Sequence, residues 1–316
     1  MDTAWIITES ELVPRLLEAN LDRGGDCPNI FRQVRGHRMA KAALENAVWD
    51  LEAQAKCVSL AELLGGTRDV IPCGVSIGIQ PSPDHLMDTI ATELAAGYQR
   101  IKLKCKPGWD VNIFEAVRDR WPDITLSCDA NSAYRMKDLE NIVDWDRFNL
   151  LMIEQPLWYD DFYFHSMLQK RLETSICLDE SIRNRRDALA AIDMESCRII
   201  NIKVGRVGGF SEAIAVHNAA EERGIPVWCG GMLETGIGRS HNIALASLPN
   251  FSLPGDVSAS SRYWTQDIIE PPVTVSAKGE IAVPTTVGRG FEVQRDRVES
   301  LTVRRQTLHA KASVTA

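Results

Sequence analysis

Residues 100–106 read RIKLKCK, an apolar run with a lysine at every second position. Side chains alternate between the two faces of a strand, so Lys102 and Lys104 share one face while Ile101 and Leu103 take the other. Similar runs follow at ITLSCDAN (124–131), LLMIEQP (150–156), SICLDES (175–181) and RIINIKV (198–204). Each places one ionisable group out of phase with its apolar neighbours: Asp129, Glu154, Asp179 and Lys203. Starting from Lys104 these residues are 25, 25, 25 and 24 positions apart, about one strand-helix unit per step. Parallel strands are buried on both faces, so a charge inside one is either paired or part of a site. Six such charges with common parity, each at the C-terminal end of its strand, point to one site inside the mouth of a barrel.

Working outward, CGVSIGI (73–79), PVWCGG (226–231) and FSLPGD (251–256) complete eight β-rich runs. Stretches with helical apolar spacing separate them, among them 84–96, 111–120, 161–172, 185–192, 211–223 and 237–247. The rhythm predicts an α/β fold with a (β/α) barrel over residues 73–256; an open doubly wound sheet has the same rhythm, because periodicity does not report closure. Ahead of the barrel, residues 1–72 predict helices at 10–20 and 36–56. Behind it, residues 257–316 contain DIIEPPVTVSAKGEIAVPTTVG, which predicts a hairpin about Lys278-Gly279.

With 35 Lys+Arg against 43 Asp+Glu, the formal charge of −8 argues against nucleic acid or an anionic membrane as partner. No apolar stretch approaches the ~20 residues that span a bilayer, and the first residues carry no basic region before an apolar core. The eight cysteines form no C-x-x-C pair and several lie in apolar runs, which predicts buried, reduced thiols. A cytoplasmic enzyme acting on a small molecule is the expectation from these features together.

Three oxygen donors from neighbouring strands, Asp129, Glu154 and Asp179, suit a hard cation such as Mg2+, with Mn2+ as a substitute; zinc would call for histidine or cysteine. The lysines of strands two and six should flank a substrate held there. Clustered ammonium groups and desolvation are expected to lower their pKa values toward those of a base near neutral pH. Structural ion pairing is the plain alternative for any one of these residues, but not for the whole series.

The pattern resembles the enolase superfamily, in its muconate-cycloisomerase-like subgroup, and within it the o-succinylbenzoate synthase / N-acylamino acid racemase family. The resemblance rests on Lys102-Leu103-Lys104, Asp129-Ala130-Asn131, Glu154-Gln155-Pro156, Asp179-Glu180-Ser181 and Lys203 within NIKVGRVGG, and on the runs WCGGMLETGIGRSHNIALASLPNF and SASSRYWTQDIIEPP. It implies a modified (β/α)7β barrel with a partial α+β capping domain drawn from both termini. It implies Mg2+ on Asp129, Glu154 and Asp179, Lys104 and Lys203 as the acid/base pair, and Lys102 as a stabiliser of the enolate. Ser76, Asn131, Gly231 and Met232 match positions near the substrate.

The implied activity is that of a lyase or isomerase that removes a proton α to a carboxylate. It covers dehydration to o-succinylbenzoate in menaquinone biosynthesis, racemisation of N-acylamino acids, or both, in a homo-oligomer. Mandelate-racemase-like members carry a histidine after strand seven, where this chain has Cys229-Gly230-Gly231; dipeptide epimerases carry paired aspartates after strand eight, where it has Asp256-Val257-Ser258. A dipeptide epimerase and a muconate cycloisomerase-like enzyme stay as alternatives. By the resemblance the chain opens near the family's first capping helix, so a reduced lid is expected, and with it a second alternative, a catalytically impaired remnant.

Overall fold

The computed structural model describes residues 2–310. Seven strands form one parallel sheet in chain order: Gly74–Ile77, Arg100–Lys104, Leu126–Asp129, Ile153–Glu154, Ile176–Leu178, Ile199–Ile202 and Val227–Cys229. They are called strands one to seven below. Helices Pro83–Ala95, Val111–Arg120, Tyr163–Gln169, Arg185–Asp193, Phe210–Glu221 and Gly236–Ala246 cover the outside. Their starts are set locally: Ser82 Oγ accepts from the His85 amide at 3.2 Å ahead of Pro83, and Asn184 Oδ1 accepts from the Asp187 amide at 3.0 Å. The short helix Leu139–Val143, between strands three and four, is not among the helices expected above, although Leu139, Ile142 and Val143 stand at helical spacing.

The eighth run behaves differently from its prediction. Residues 250–256 form isolated bridges, Val227 with Phe251 and Cys73 with Gly255, and no regular strand. Pro254 has no amide to donate, and Gly255 passes so close to strand seven that a Cβ would sit 2.9 Å from the Cys229 carbonyl. The segment still closes the barrel. Asp256 N donates to Cys229 O at 2.9 Å on one side, and Gly74 N donates to Gly255 O at 2.7 Å on the other.

Two apolar layers hold this frame. Outward-facing Ile101, Leu103, Leu126, Ile153 and Ile200 pack with helix residues such as Ile90, Phe114, Val117 and Val216 in the main core. Inside the barrel, Met152, Cys177, Ile199 and Trp228 make a separate buried cluster. Above that floor stand the charged residues, so the site is a polar layer seated on an apolar one. All eight cysteines are free thiols, seven of them buried and Cys57 exposed.

The N-terminal helices start earlier than predicted: Asp2–Ile7, a π turn Thr8–Leu12 and Val13–Glu18 run on end to end. Leu12, Cys27, Phe31, Val34 and Ala40 form their own small core, and the long helix Arg38–Ala55 lies against the turn Val204–Val207. Of the predicted C-terminal hairpin only the turn about Lys278-Gly279 forms, with Gly279 N donating to Ser276 O and Ser276 N to Glu280 O, both at 2.8 Å. Glu280–Ala282 pairs with Val70–Pro72, and Ile269–Glu270 pairs with Glu292–Val293. Pro271 and Pro272 deprive the intervening run of ladder donors, and the longer-range partners replace it.

Candidate active site

Register places the functional side chains before any of them makes a contact. Lys104 lies opposite Asp129, and Asp129 opposite Glu154, in the parallel ladder. Inward-facing positions two residues apart therefore stack: Arg100, Lys102 and Lys104 on strand two, and Asn201 with Lys203 at strand six. Gly74 makes room for this column, since a Cβ there would lie 2.6 Å from the Arg100 guanidinium.

The charges neutralise one another in pairs. Lys104 Nζ is 2.6 Å from Asp129 Oδ2 and also donates to Asn131 Oδ1. Lys102 Nζ is 2.8 Å from Glu154 Oε2, 3.5 Å from Asp129 Oδ2 and 4.7 Å above the Trp228 ring. Lys203 Nζ is 2.8 Å from Asp179 Oδ2, while Arg206 pairs with the other oxygen of Asp179. Asn201 Nδ2 donates to Glu154 Oε1 at 2.7 Å. Arg100 Nη2 and Lys102 Nζ meet the two oxygens of Asp256 at 2.7 and 2.6 Å.

Gln155 knits strands four and five together. Its Oε1 accepts from the amides of Asp179 and Ser181 at 3.0 and 3.3 Å, and its Nε2 donates to Ser181 Oγ at 2.7 Å. Gln155 and Asn131 both take φ of +40°, which lets their strands end abruptly and turns their amide side chains into the site.

Electrostatics depart from the sequence expectation for the lysines. Burial opposes the charge on Lys102, yet Asp256, Glu154 and Asp129 prevail and hold the ammonium well above its usual range. Burial likewise opposes Lys203, and Asp179 and Glu154 raise it. Lys102 does lower Lys203, as expected of clustered ammonium groups, but for these two lysines the interleaved carboxylates outweigh both that effect and burial. Burial, then Asp129, push Glu154 up to about 8. Burial works against Asp129 and Asp256 also, but Lys102 with Lys104 lowers the first, and Lys102 with Arg100 lowers the second.

A cavity of about 150 Å3 opens above this layer, lined by Ser76, Lys102, Lys104, Lys203, Gly231 and Met232, all anticipated from sequence. Asp129, Glu154 and Asp179 lie beside it, bonded to the lysines, and Asn131 bridges Lys104 to Glu180, its Nδ2 donating to Glu180 Oε1 at 2.8 Å. The Met232 amide donates to both oxygens of Glu234 at 2.8 Å. Among the described residues no three Asp, Glu, His or Cys side chains already converge as a cation site; each of the three carboxylates is turned to a cationic side chain.

Sequence reading gave no site role to Arg100, Asn201, Arg206, Arg262 and Tyr263, and used Asp256 only to tell the chain from dipeptide epimerases. Strand parity could have found Arg100 and Asn201, each two residues before an identified lysine. A larger, open cavity of about 730 Å3 near Gln54 and Val287–Asp296 shares no residue with this site.

Comparison with known proteins places the chain in a family. The family model for the mandelate racemase / muconate lactonizing enzyme N-terminal domain matches residues 2–65, and the enolase C-terminal domain-like model matches 86–297. An o-succinylbenzoate synthase of Geobacillus kaustophilus is 52% identical over 311 residues, covering 98% of this chain and 83% of the relative. An N-succinylamino acid racemase of Amycolatopsis sp is 49% identical over 290 residues, covering 92% and 78%. The crystal structure of an unknown member of the enolase superfamily from Enterococcus faecalis V583 superimposes with a TM-score of 0.90 at 42% identity, covering 95% of this chain and 81% of that one.

Proposed function

The chain belongs to the mandelate racemase / muconate lactonizing enzyme family of the enolase superfamily, and from that premise we propose that it acts as an o-succinylbenzoate synthase and N-succinylamino acid racemase. The observation that carries the reading is the pair Lys104 and Lys203, which line one cavity from strands two and six, each tied to a different carboxylate.

The donor set fits a divalent cation. Asp129, Glu154 and Asp179 are oxygen donors on consecutive strand ends, and Asn201 Oδ1 and Glu180 Oε2 are buried nearby without a partner. These three carboxylates would hold Mg2+, or Mn2+ in its place, and the ion when bound supplies positive charge against the carboxylate of the substrate as its α-proton leaves. Lys104 takes or returns that proton on one face and Lys203 on the other, each as the free amine when it acts as base. Lys102, fixed by Glu154 and Asp256, presents a permanent ammonium to the charge that develops. Reprotonation from the opposite face gives racemisation. Loss of a β-hydroxyl as water, with a lysine ammonium as the acid, gives dehydration.

Ser76, Asn131, Gly231 and Met232 border the place the substrate would take. The same reading divides the chain into residual capping helices at 1–72, the barrel at 73–256 and a return to the cap at 257–316, in a cytoplasmic homo-oligomer. No helix among the described residues is long and apolar enough to cross a membrane.

The test is NMR-detected exchange of the α-proton of N-succinyl amino acids with solvent deuterium, with and without Mg2+, in the intact chain and in Lys104→Ala and Lys203→Ala. Exchange that requires the ion and the lysines supports the reading. A folded, Mg2+-binding protein that exchanges nothing and forms no o-succinylbenzoate overturns it.

A further inference from the structure

We propose that Arg262 is a positioning residue that sets the width of the substrate cavity by clamping its first-strand wall to the wall beyond the barrel seam. The Nη2 of Arg262 donates to the Ser76 carbonyl at 2.8 Å, at the end of strand one, and its Nη1 pairs with Glu93 on the helix that follows that strand. One guanidinium therefore grips both parts of the first strand-helix unit from the turn Ser260–Arg262, far along the chain.

Tyr263 continues the clamp. Its ring lies near two guanidinium groups, 6.0 Å from Arg262 and 5.4 Å from Arg239. Arg239, only 2% exposed, donates to Ser258 O at 2.7 Å and to Glu234 O at 3.1 Å. The loops after strand seven and after the seam are thereby fixed to the same ring that Arg262 holds. Ser76, Ser258, Arg262 and Tyr263 all line the cavity. Neither arginine pairs with Asp129, Glu154 or Asp179, which take Lys104, Lys102, Lys203 and Arg206. The clamp shapes the wall a substrate rests on and leaves the proton-transfer groups in place, so its removal should act on binding more than on turnover.

This inference rests on the proton-abstraction reading of the site, and its test separates the two. For wild type, Arg262→Gln, Arg262→Lys and Glu93→Gln, we would measure the Kd of an N-succinyl amino acid with Mg2+ by calorimetry, KM and kcat by α-proton exchange, and the melting temperature. Arg262→Gln should raise Kd and KM tenfold or more and change kcat less than threefold. Arg262→Lys, which keeps a cationic donor, should recover most of the loss, and Glu93→Gln should show a smaller rise in KM. Unchanged Kd and KM in Arg262→Gln, or a fall in kcat with KM unmoved, overturns the clamp. If wild type binds but does not exchange, the chemical reading fails while the Kd ratio still decides the role of Arg262. If wild type neither binds nor exchanges, both are overturned.

Discussion

The ammonium of Lys102 lies 2.6 Å from Asp256 Oδ2, on the seam that closes the barrel. Asp256 gives its other oxygen to Arg100, so one carboxylate compensates two cations whose side chains are 2% and 0% exposed. Asp256→Asn should leave both under-compensated in a dry interior. Breaking a buried pair from one side typically costs about 3–5 kcal/mol. Urea unfolding should show a loss at the lower end of that range, because Glu154 still meets Lys102. A variant within about 1 kcal/mol of wild type would sink the idea that Asp256 anchors this column.

The two acid/base lysines come from opposite sides of the barrel, which predicts a stereochemical split. Lys104→Ala should lose exchange of one enantiomer of an N-succinyl amino acid by roughly 10²–10⁴-fold, the usual contribution of a positioned acid or base, and Lys203→Ala should lose the other. Following the D and L forms separately by NMR checks this. Equal losses on both enantiomers in both variants would show that the lysines do not divide the faces.

Gly230 admits Lys203 to its place. A Cβ at Gly230 would lie 2.6 Å from Lys203 Cε and 2.7 Å from Asn201 Nδ2. Gly230→Ala should therefore push the lysine off line and lower kcat at least tenfold, while the cost in stability stays within the about 1–3 kcal/mol of an overpacked interior. Wild-type kcat in this variant would mean that the lysine finds its position without the glycine.

His241 supplies a pH dependence of folding. Burial, then Arg289, lower its pKa from 6.5 to about 4, and its ring packs edge-on to Phe210 at 5.5 Å. Above pH 6.5 it is neutral in both folded and unfolded chains and contributes no slope. Between 6.5 and 4 the unfolded chain takes the proton first, so stability falls with pH by up to about 3 kcal/mol. Denaturant unfolding across that window should be steeper for wild type than for His241→Gln. Parallel profiles would remove His241 from the acid response.

Much of the site was legible because a parallel barrel converts sequence parity directly into facing direction. Asp129, Glu154, Asp179 and the three lysines needed only a period of two and a regular step, and the family resemblance extended the reading to Ser76 and Gly231. Asp256 stood at the end of the predicted eighth run without its pairing to Lys102 and Arg100 being read, and Arg262 was not accessible that way, since it reaches the site from a loop whose path depends on distant packing. The eighth run failed as a strand because alternation says nothing of a proline's missing donor. The C-terminal hairpin stops at its turn because Glu280–Ala282 pairs with Val70–Pro72, some two hundred residues earlier. Net lysine protonation also lay beyond the pattern, which gives the order of charges around the barrel but not the distances at which carboxylates meet the ammonium groups.

The amide of Gln155 joins the ends of strands four and five, and with them Glu154 and Asp179. That half of the barrel mouth is consequently tied at the backbone, the stems of the two carboxylates sharing one amide. The opposite half, made of Ser76, the 231–234 loop and the 256–263 segment, is joined by long side chains reaching across separate loops. Descendants of this chain could be remodelled on the loop side, altering which molecule is accepted, while the inherited chemistry on the other side went on unaltered.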